Sequence, residues 1–227
     1  MTGPNRAVRD PKFVPGGHYG GMAVLPKSLL WRRLDSAGAE QSLIADSSGL
    51  HARATLVCAD PVPFVCRYEL YTDDTWATAR FEASVEGAGF ARTVRLERAA
   101  HRWRATASEQ GDLDAALVAA GRARVGMPGA DDADRLAAAL DVDVANSALT
   151  NTLPVRRLGL LDGAPGMTHE VDTAWVLLPG LEVVPSRQTY TWMGDHRVRF
   201  TSGTFTADLT FDASGYVTHY PGLAARD

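Results

Sequence analysis

Leu50-His-Ala-Arg-Ala-Thr-Leu-Val-Cys58 and Phe64-Val-Cys-Arg-Tyr-Glu-Leu-Tyr71 are the two runs whose pattern decides the fold. In the first, Leu50, Ala52, Ala54, Leu56 and Cys58 alternate with His51, Arg53, Thr55 and Val57. In the second, Phe64, Cys66, Tyr68 and Leu70 alternate with Val65, Arg67, Glu69 and Tyr71. A period of two is that of a strand with one buried face. Ala59-Asp-Pro-Val-Pro63 supplies turn chemistry between them. The pair predicts an antiparallel hairpin.

The same pattern extends on both sides. Ala77, Ala79, Phe81, Ala83 and Val85 alternate with Trp76, Thr78, Arg80, Glu82 and Ser84, and shorter runs cover 93–97 and 103–107. Strand signals resume at 141–144 and recur at 155–161, 169–178, 188–193, 197–201, 204–212 and 216–220. Many strands joined by short turns predict a mainly β protein, one antiparallel sheet that rolls or closes. The run 108–140 interrupts it. Ala-rich segments at 112–120 and 131–140, with aspartates at their starts and Gly121 after the first, predict two short helices in an insertion. Residues 1–27 carry Pro4, Pro11, Pro15, Pro26 and a glycine-rich stretch, and are expected to form an irregular arm before a domain over 28–227.

Composition bounds the function. The chain has 227 residues, 45% of them hydrophobic, a net charge of −4 and a pI near 5.9. It is long enough to bury a core without disulfides or metals, and it lacks the global basic footprint of a nucleic-acid binder. No apolar run is long enough for a transmembrane helix, and the start shows no secretory signal pattern, so a cytoplasmic protein is expected. Cys58 and Cys66, the two cysteines, are expected to be reduced core residues.

No glycine-rich nucleotide loop, nucleophile elbow or metal-spaced histidine pair is present, so no cofactor or metal is expected. The polar candidates are dispersed. Asp141 and Asp143 share a face if their segment is a strand; they are either a solvated face, partners for Arg156 and Arg157, or cavity carboxylates. Arg80 alternates with Trp76 and Thr78, a place for a head group or for stacking on the ring. The tryptophans, Trp103 and Trp175 among them, can face a sugar or fill a core.

The most specific stretch is Thr150-Asn-Thr-Leu-Pro-Val-Arg-Arg-Leu158. Around it lie Leu30-Trp-Arg-Arg-Leu-Asp35, Gln188-Thr-Tyr190, Phe211-Asp-Ala-Ser-Gly215 and Val217-Thr-His-Tyr-Pro-Gly-Leu223. In this order the set resembles the bacterial putative glycolipid-binding family, over roughly 29–223. The resemblance implies a spiral β-roll, an incompletely closed barrel shaped like the Lol-type lipoprotein carriers, and binding of a glycolipid in an apolar cavity. The insertion at 108–140 and the arm at 1–27 depart from the family pattern and can flank or cover the mouth of the roll. From the residues alone, Asn151 and Thr152 read as turn formers, Pro154 as an end to strand pairing, and Arg156 and Arg157 as alternating on a strand, the inward one pairing with Asp141 or Asp143. The motif is therefore either a structural corner or part of a ligand site.

Three readings are open at this level. The first is a non-enzymatic carrier of an amphiphilic or hydrophobic small molecule. Phe81, Trp103, Trp175, Tyr190, Phe205 and Phe211 are candidates to line its cavity. Its ligand contacts are expected among Arg80, Trp103, Asp143, Asn151, Arg157, Trp175, Gln188 and Tyr190. The second is a cofactor-free cyclase or isomerase using Asp141, Asp143 and Tyr190, with Arg157 and Gln188 in support and the insertion as a lid. The third is a structural domain whose roll is filled by its own side chains.

Overall fold

The computed structural model describes residues 26–100 and 102–226. Most of the arm expected at 1–27 lies outside the described residues; the first strand, β1, begins at Lys27. β1 (Lys27–Arg33), β2 (Gly38–Ala45), β3 (His51–Cys58), β4 (Phe64–Thr72), β5 (Thr78–Gly87), β6 (Phe90–Ala99) and β7 (Arg102–Gly111) form an antiparallel meander. The helix α1 (Leu113–Ala119) and a 3-10 turn at Ala133–Leu136 come next. Then come β8 (Asp141–Val144), α2 (Thr152–Arg157), β9 (Thr168–Val176), β10 (Val183–Gly194), β11 (Arg197–Ser202), β12 (Phe205–Phe211), β13 (Val217–Tyr220) and β14 (Ala224–Ala225).

All fourteen strands belong to one sheet, ordered β7-β6-β5-β4-β3-β2-β1-β14-β13-β12-β11-β10-β9-β8. The first and last strands pair in its middle, Arg33 opposite Ala224. The chain winds outward to the β7 edge, crosses through 112–140 to the opposite edge, and winds back. The sheet is not closed into a barrel, but its far end returns to the body of the roll. Thr78 N–H donates to the Leu140 carbonyl (2.8 Å), and Val142 N–H donates to Thr78 Oγ1 (3.1 Å).

The deciding hairpin forms as its alternation requires, with Cys58 opposite Phe64 and Leu56 opposite Cys66. Its Leu, Ala, Cys and Phe positions and Tyr68 face inward, and its arginines and Tyr71 face outward. Both cysteines are buried thiols. α1 starts where Asp112 accepts from Ala115 N–H (2.8 Å), an N-cap. β7 runs on to Gly111, three residues past the expected start of the insertion, and the second expected helix is only the short 3-10 turn.

Two local readings are corrected. Arg80 does not share a face with Trp76 and Thr78, because the register slips between Tyr71 and Thr72, where Thr72 faces Thr78 and Tyr71 faces Arg80. One extra residue in a strand reverses the parity of every residue beyond it. Trp76 and Thr78 are buried, whereas Arg80 lies on the outer face over the Tyr71 ring. The stretch 155–161 is not a strand. It belongs to a 3-10 turn (Leu149–Asn151), α2 and a second turn (Leu160–Asp162). Pro154 is tolerated because it sits in the first turn of α2, where N–H groups have no helical partner. Gly159, with φ +58°, stops the helix.

This helical segment is packed inside the roll. Ala148, Leu149, Thr150, Asn151, Thr152, Leu153 and Val155 are all buried against the inner face of the sheet. An interior segment buried on every side has no strand-like alternation to follow. Leu153 is fully enclosed, so Leu153→Ala should destabilise the fold by about 2–5 kcal/mol. Urea unfolding measures this, and a loss under about 1 kcal/mol would mean that the segment is not a packed plug.

Candidate functional site

The inward parity of the strands carries a few polar side chains among apolar ones, and each meets a specific partner. On β2 the buried residue is Glu40. Its Oε1 accepts from Tyr68 Oη–H (2.8 Å) and Ser147 Oγ–H (2.7 Å), and its Oε2 accepts from Ala148 N–H (2.8 Å). Burial pushes its pKa above the ordinary carboxylate value, against the pull of these donors. Glu40 thereby fixes the entry to the plug. Arg33 also donates to the Asn146 carbonyl (3.2 Å). Asn146 itself holds φ +71°, a left-handed conformation that asparagine tolerates better than most residues.

On β8, Asp141 and Asp143 do share a face, and their environments separate them. Asp141 takes a bidentate pair from Arg157, Nε to Oδ1 at 3.1 Å and Nη2 to Oδ2 at 2.6 Å. This clamps the end of α2 to the sheet edge. Asp143 accepts from Thr150 Oγ1–H (2.9 Å) and Gln188 Nε2–H (2.7 Å). Tyr190 Oη–H lies 3.1 Å from both Gln188 Oε1 and Asn151 Oδ1, so its one proton is shared between two acceptors. The donation to Asp143 fixes which way the Gln188 amide points. Burial raises the Asp143 pKa, and the two donors oppose that rise. Tyr190 is pushed well above its usual value by burial and by the nearby Asp143 charge.

A pocket of about 260 Å³ opens over this network. Its floor includes Asp143, Asn151 and Gln188, and one side is formed by the 145–147 loop. Strand pairing assembles the rest. Trp175 lies opposite Asp143 across the parallel β8–β9 ladder, Ser202 opposite Gln188, and Phe205 opposite Ser202. Phe200, Phe205 and Tyr220 make an aromatic wall with ring centroids 6.1–6.3 Å apart. Leu223 completes the rim, and its carbonyl accepts from Leu34 N–H (2.9 Å). Gln188 is 2% exposed and Asn151 3%, whereas Phe205 is 49% exposed. The enclosed part of the pocket therefore sets Gln188 and Asn151 against the buried rings of Phe200 and Tyr220, and its exposed lining residue is the apolar Phe205.

Of the expected ligand contacts, Asp143, Asn151, Trp175 and Gln188 line this pocket, and Tyr190 supports its floor. Three lie elsewhere. Arg157 is engaged with Asp141. Trp103 is buried beneath the insertion, its indole N–H donating to the Ala139 carbonyl (3.1 Å). Arg80 pairs with Glu82 on the outer face. Of the residues expected to line the cavity, Phe81 and Phe211 are core. Phe200, Tyr220, Leu223 and Ser147 were not anticipated. Phe200 was open to inference from the 197–201 alternation, and Tyr220 from the terminal Tyr-Pro-Gly. Nothing in the local sequence marks Ser147.

A larger groove, about 530 Å³, crosses the outer face of β2–β6. It is lined by Arg53, Arg67, Arg80, Glu69 and Glu82. Pairing places Arg53 opposite Glu69 and Glu82 opposite Arg95, the pattern of a solvated charge ladder. Enclosure and buried polar groups favour the smaller pocket as the candidate site. Among the described residues no three His, Cys, Asp or Glu side chains gather as metal ligands, and no helix is long and apolar enough to cross a membrane.

Comparison with known proteins gives a family and a fold. Residues 28–226 match the sequence model of a family described as Putative glycolipid-binding. Among solved structures, the chain is similar to a DUF1089 family protein from Pseudomonas aeruginosa, with a TM-score of 0.59 and 23% identity over 96% of this chain and 100% of that one. At that identity the similarity is one of fold. No curated protein matches.

The Glu40 clamp predicts a pH signature. Gln at this position turns an amide N–H toward one of three donors and should cost about 1–3 kcal/mol. Because the folded-state pKa of Glu40 is raised, its stabilising contribution is complete below the unfolded pKa, about 4.3. That contribution is lost as pH rises through the folded value. The stability gap between the parent and non-titrating Glu40→Gln should be widest near pH 4 and narrow toward neutrality. Urea midpoints measured from pH 4 to 8 test this; a gap that widens with pH would contradict it.

Proposed function

The chain belongs to the Putative glycolipid-binding family, and from that premise we propose that it binds a glycolipid or similar amphiphile in the pocket over Asp143 without transforming it. The observation that carries this reading is the two-sided character of one enclosure. Asp143, Gln188 and Asn151 offer fixed polar groups, while Trp175, Phe200 and Tyr220 offer flat apolar surface. An amphiphile needs both. Hydroxyl-rich rings hydrogen-bond at their edges and pack their C–H faces on aromatic rings. The floor groups are already held by Thr150 and Tyr190, so little ordering remains to be done on binding.

One observation favours a second reading. A buried carboxyl with a raised pKa at the floor of a pocket is where general acid–base chemistry is placed. Under that reading Asp143 would act on the ligand, Tyr190 would orient the amide beside it, and Asp141 would stay committed to Arg157.

Native mass spectrometry separates the two. After incubation with vesicles containing a monoglycosyl diacylglycerol, the protein should carry a glycolipid adduct of unchanged mass. Trp175→Ala should reduce adduct occupancy, with affinity about tenfold lower, the scale of a buried aromatic contact. A bound species whose mass shifts with time supports the acid–base reading. No adduct at any lipid content, with the pocket intact, would sink the binding reading.

A further inference from the structure

The pocket has a direction. In a carrier that swallows acyl chains, the deep end is apolar and the polar groups sit at the entrance. Here the apolar Phe205 stands half exposed at the mouth, while Gln188 and Asn151 are almost wholly enclosed beside the buried rings of Phe200 and Tyr220. Placing a hydrocarbon tail at depth would leave the open hydrogen-bonding positions of Asp143 and Gln188 without a partner, which is unfavourable. Placing hydroxyls there would complete them. A carboxylate has about four acceptor positions, and Thr150 and Gln188 occupy two at Asp143. Tyr220, which borders the same space, has its hydroxyl pKa pushed up by burial and by the Asp143 charge, with no hydrogen-bond partner for that hydroxyl among the described residues.

Size gives the same direction. At about 30 Å³ for each water-sized group, a volume of about 260 Å³ holds roughly nine such groups. That is close to one pyranose ring with its hydroxyls and too little for the two long chains of a membrane lipid. Charge narrows the class further. The floor presents a carboxylate with no ion-pair partner among the described residues, and Arg157, at the end of α2, is spent on Asp141. A uronate or sugar phosphate would bring a second negative charge against Asp143 in a desolvated space. Beyond the mouth, Phe205 and the Leu34–Leu223 contact offer exposed apolar surface for a tail.

From these observations, and resting on the glycolipid reading above, we infer that the ligand enters head first: a single uncharged pyranoside ring fills the pocket with its hydroxyls on Asp143, Gln188 and Asn151, while the apolar tail leaves along Phe205 and stays outside. The specificity of the site is then for a neutral monosaccharide head, with chain length a secondary effect felt at the rim.

Isothermal titration of the full chain tests this, using methyl and octyl glycosides of glucose, galactose and mannose below micelle-forming concentrations, octyl glucuronide and decanoate. At least one methyl glycoside should bind, and its octyl counterpart should bind more tightly. Asp143→Asn should weaken both by about tenfold or more and reduce the discrimination against the glucuronide. Phe205→Ala, at a half-exposed position where folding is safe, should bring the octyl glycoside down to the affinity of the methyl one. Decanoate should not compete. If decanoate binds and displaces the octyl glycosides, or if octyl affinity ignores both substitutions, the chain fills the pocket; the head-first inference falls while amphiphile binding stands. Glucuronide binding equal to the neutral glycosides overturns the neutral-head specificity. If neither glycosides nor decanoate bind, both readings fail.

Discussion

The interior of this roll contains a piece of polypeptide, and the structure is organised around satisfying it. The inner face of the sheet is apolar, yet residues 147–155 run through it with their backbone N–H and carbonyl groups and with Thr150, Asn151 and Thr152. Buried polar groups without partners cost free energy comparable to a lost hydrogen bond. The sheet answers with carboxylates on its inward parity. Glu40 takes the Ala148 N–H at the start of the plug, Asp143 takes Thr150 in its middle, and Asp141 takes Arg157 at its end. Arg92, on the inward parity of β6, does the same for the outer segments, donating to Glu109 and to the carbonyls of Gly126 and Gly180. That contact fastens the crossover and the β9–β10 turn to the body of the roll.

The two aspartates of β8 show how one constraint yields two roles. They sit two residues apart on one face of one strand. Asp141 faces the last turn of α2, where the Arg157 fork fills both its oxygens. Breaking such a pair leaves a buried charge uncompensated, which makes it a structural clamp. Asp143 faces a place where the plug has only a threonine to offer and the neighbouring strand a glutamine. The plug stops filling the roll there, and the unfilled volume is the pocket. The candidate site is thus the remainder left when an apolar sheet is packed with a short helix, lined by groups that the packing already required.

What was legible in the sequence was the sheet. Alternation in 50–71 and in 204–212 fixes strands and faces because each has one wet and one dry side. Where a segment is dry on all sides, as in 149–155, alternation is absent and the same residues pass for a corner. The Trp76–Arg80 face was misread for a related reason: a register slip at Thr72 changes parity without changing composition. Asp143, Asn151, Trp175 and Gln188 were legible as candidates, and line one pocket, because each is polar or aromatic near the distinctive Thr-Asn-Thr-Leu-Pro segment or on its flanking strands. Phe200 and Tyr220 reach the site only through the pairing of β10 to β13, which no local pattern states. Glu40 was visible in principle, as a charged residue on the same parity as Ser42 and Ile44, but its partners in the plug, Ser147 and Ala148, lie more than a hundred residues away.

These contacts also decide which side of the pocket can yield. The floor and the 145–147 wall are tied down by Glu40, Arg33, Thr150 and Tyr190, each through a hydrogen bond that a displaced loop would have to break in a dry interior. The opposite side is held differently. The Phe205 side chain meets Phe200 and Tyr220 through ring contacts, which tolerate small displacements at little cost compared with breaking a buried hydrogen bond. Phe205 also opens β12 directly after the Ser202-Gly203 turn, at the end of its hairpin. On the binding reading, a ligand would pass the aromatic rim and be oriented by floor groups that are already held. Access from the apolar side and recognition at the polar side are consequences of the same division, between the groups that had to satisfy the plug and those that did not.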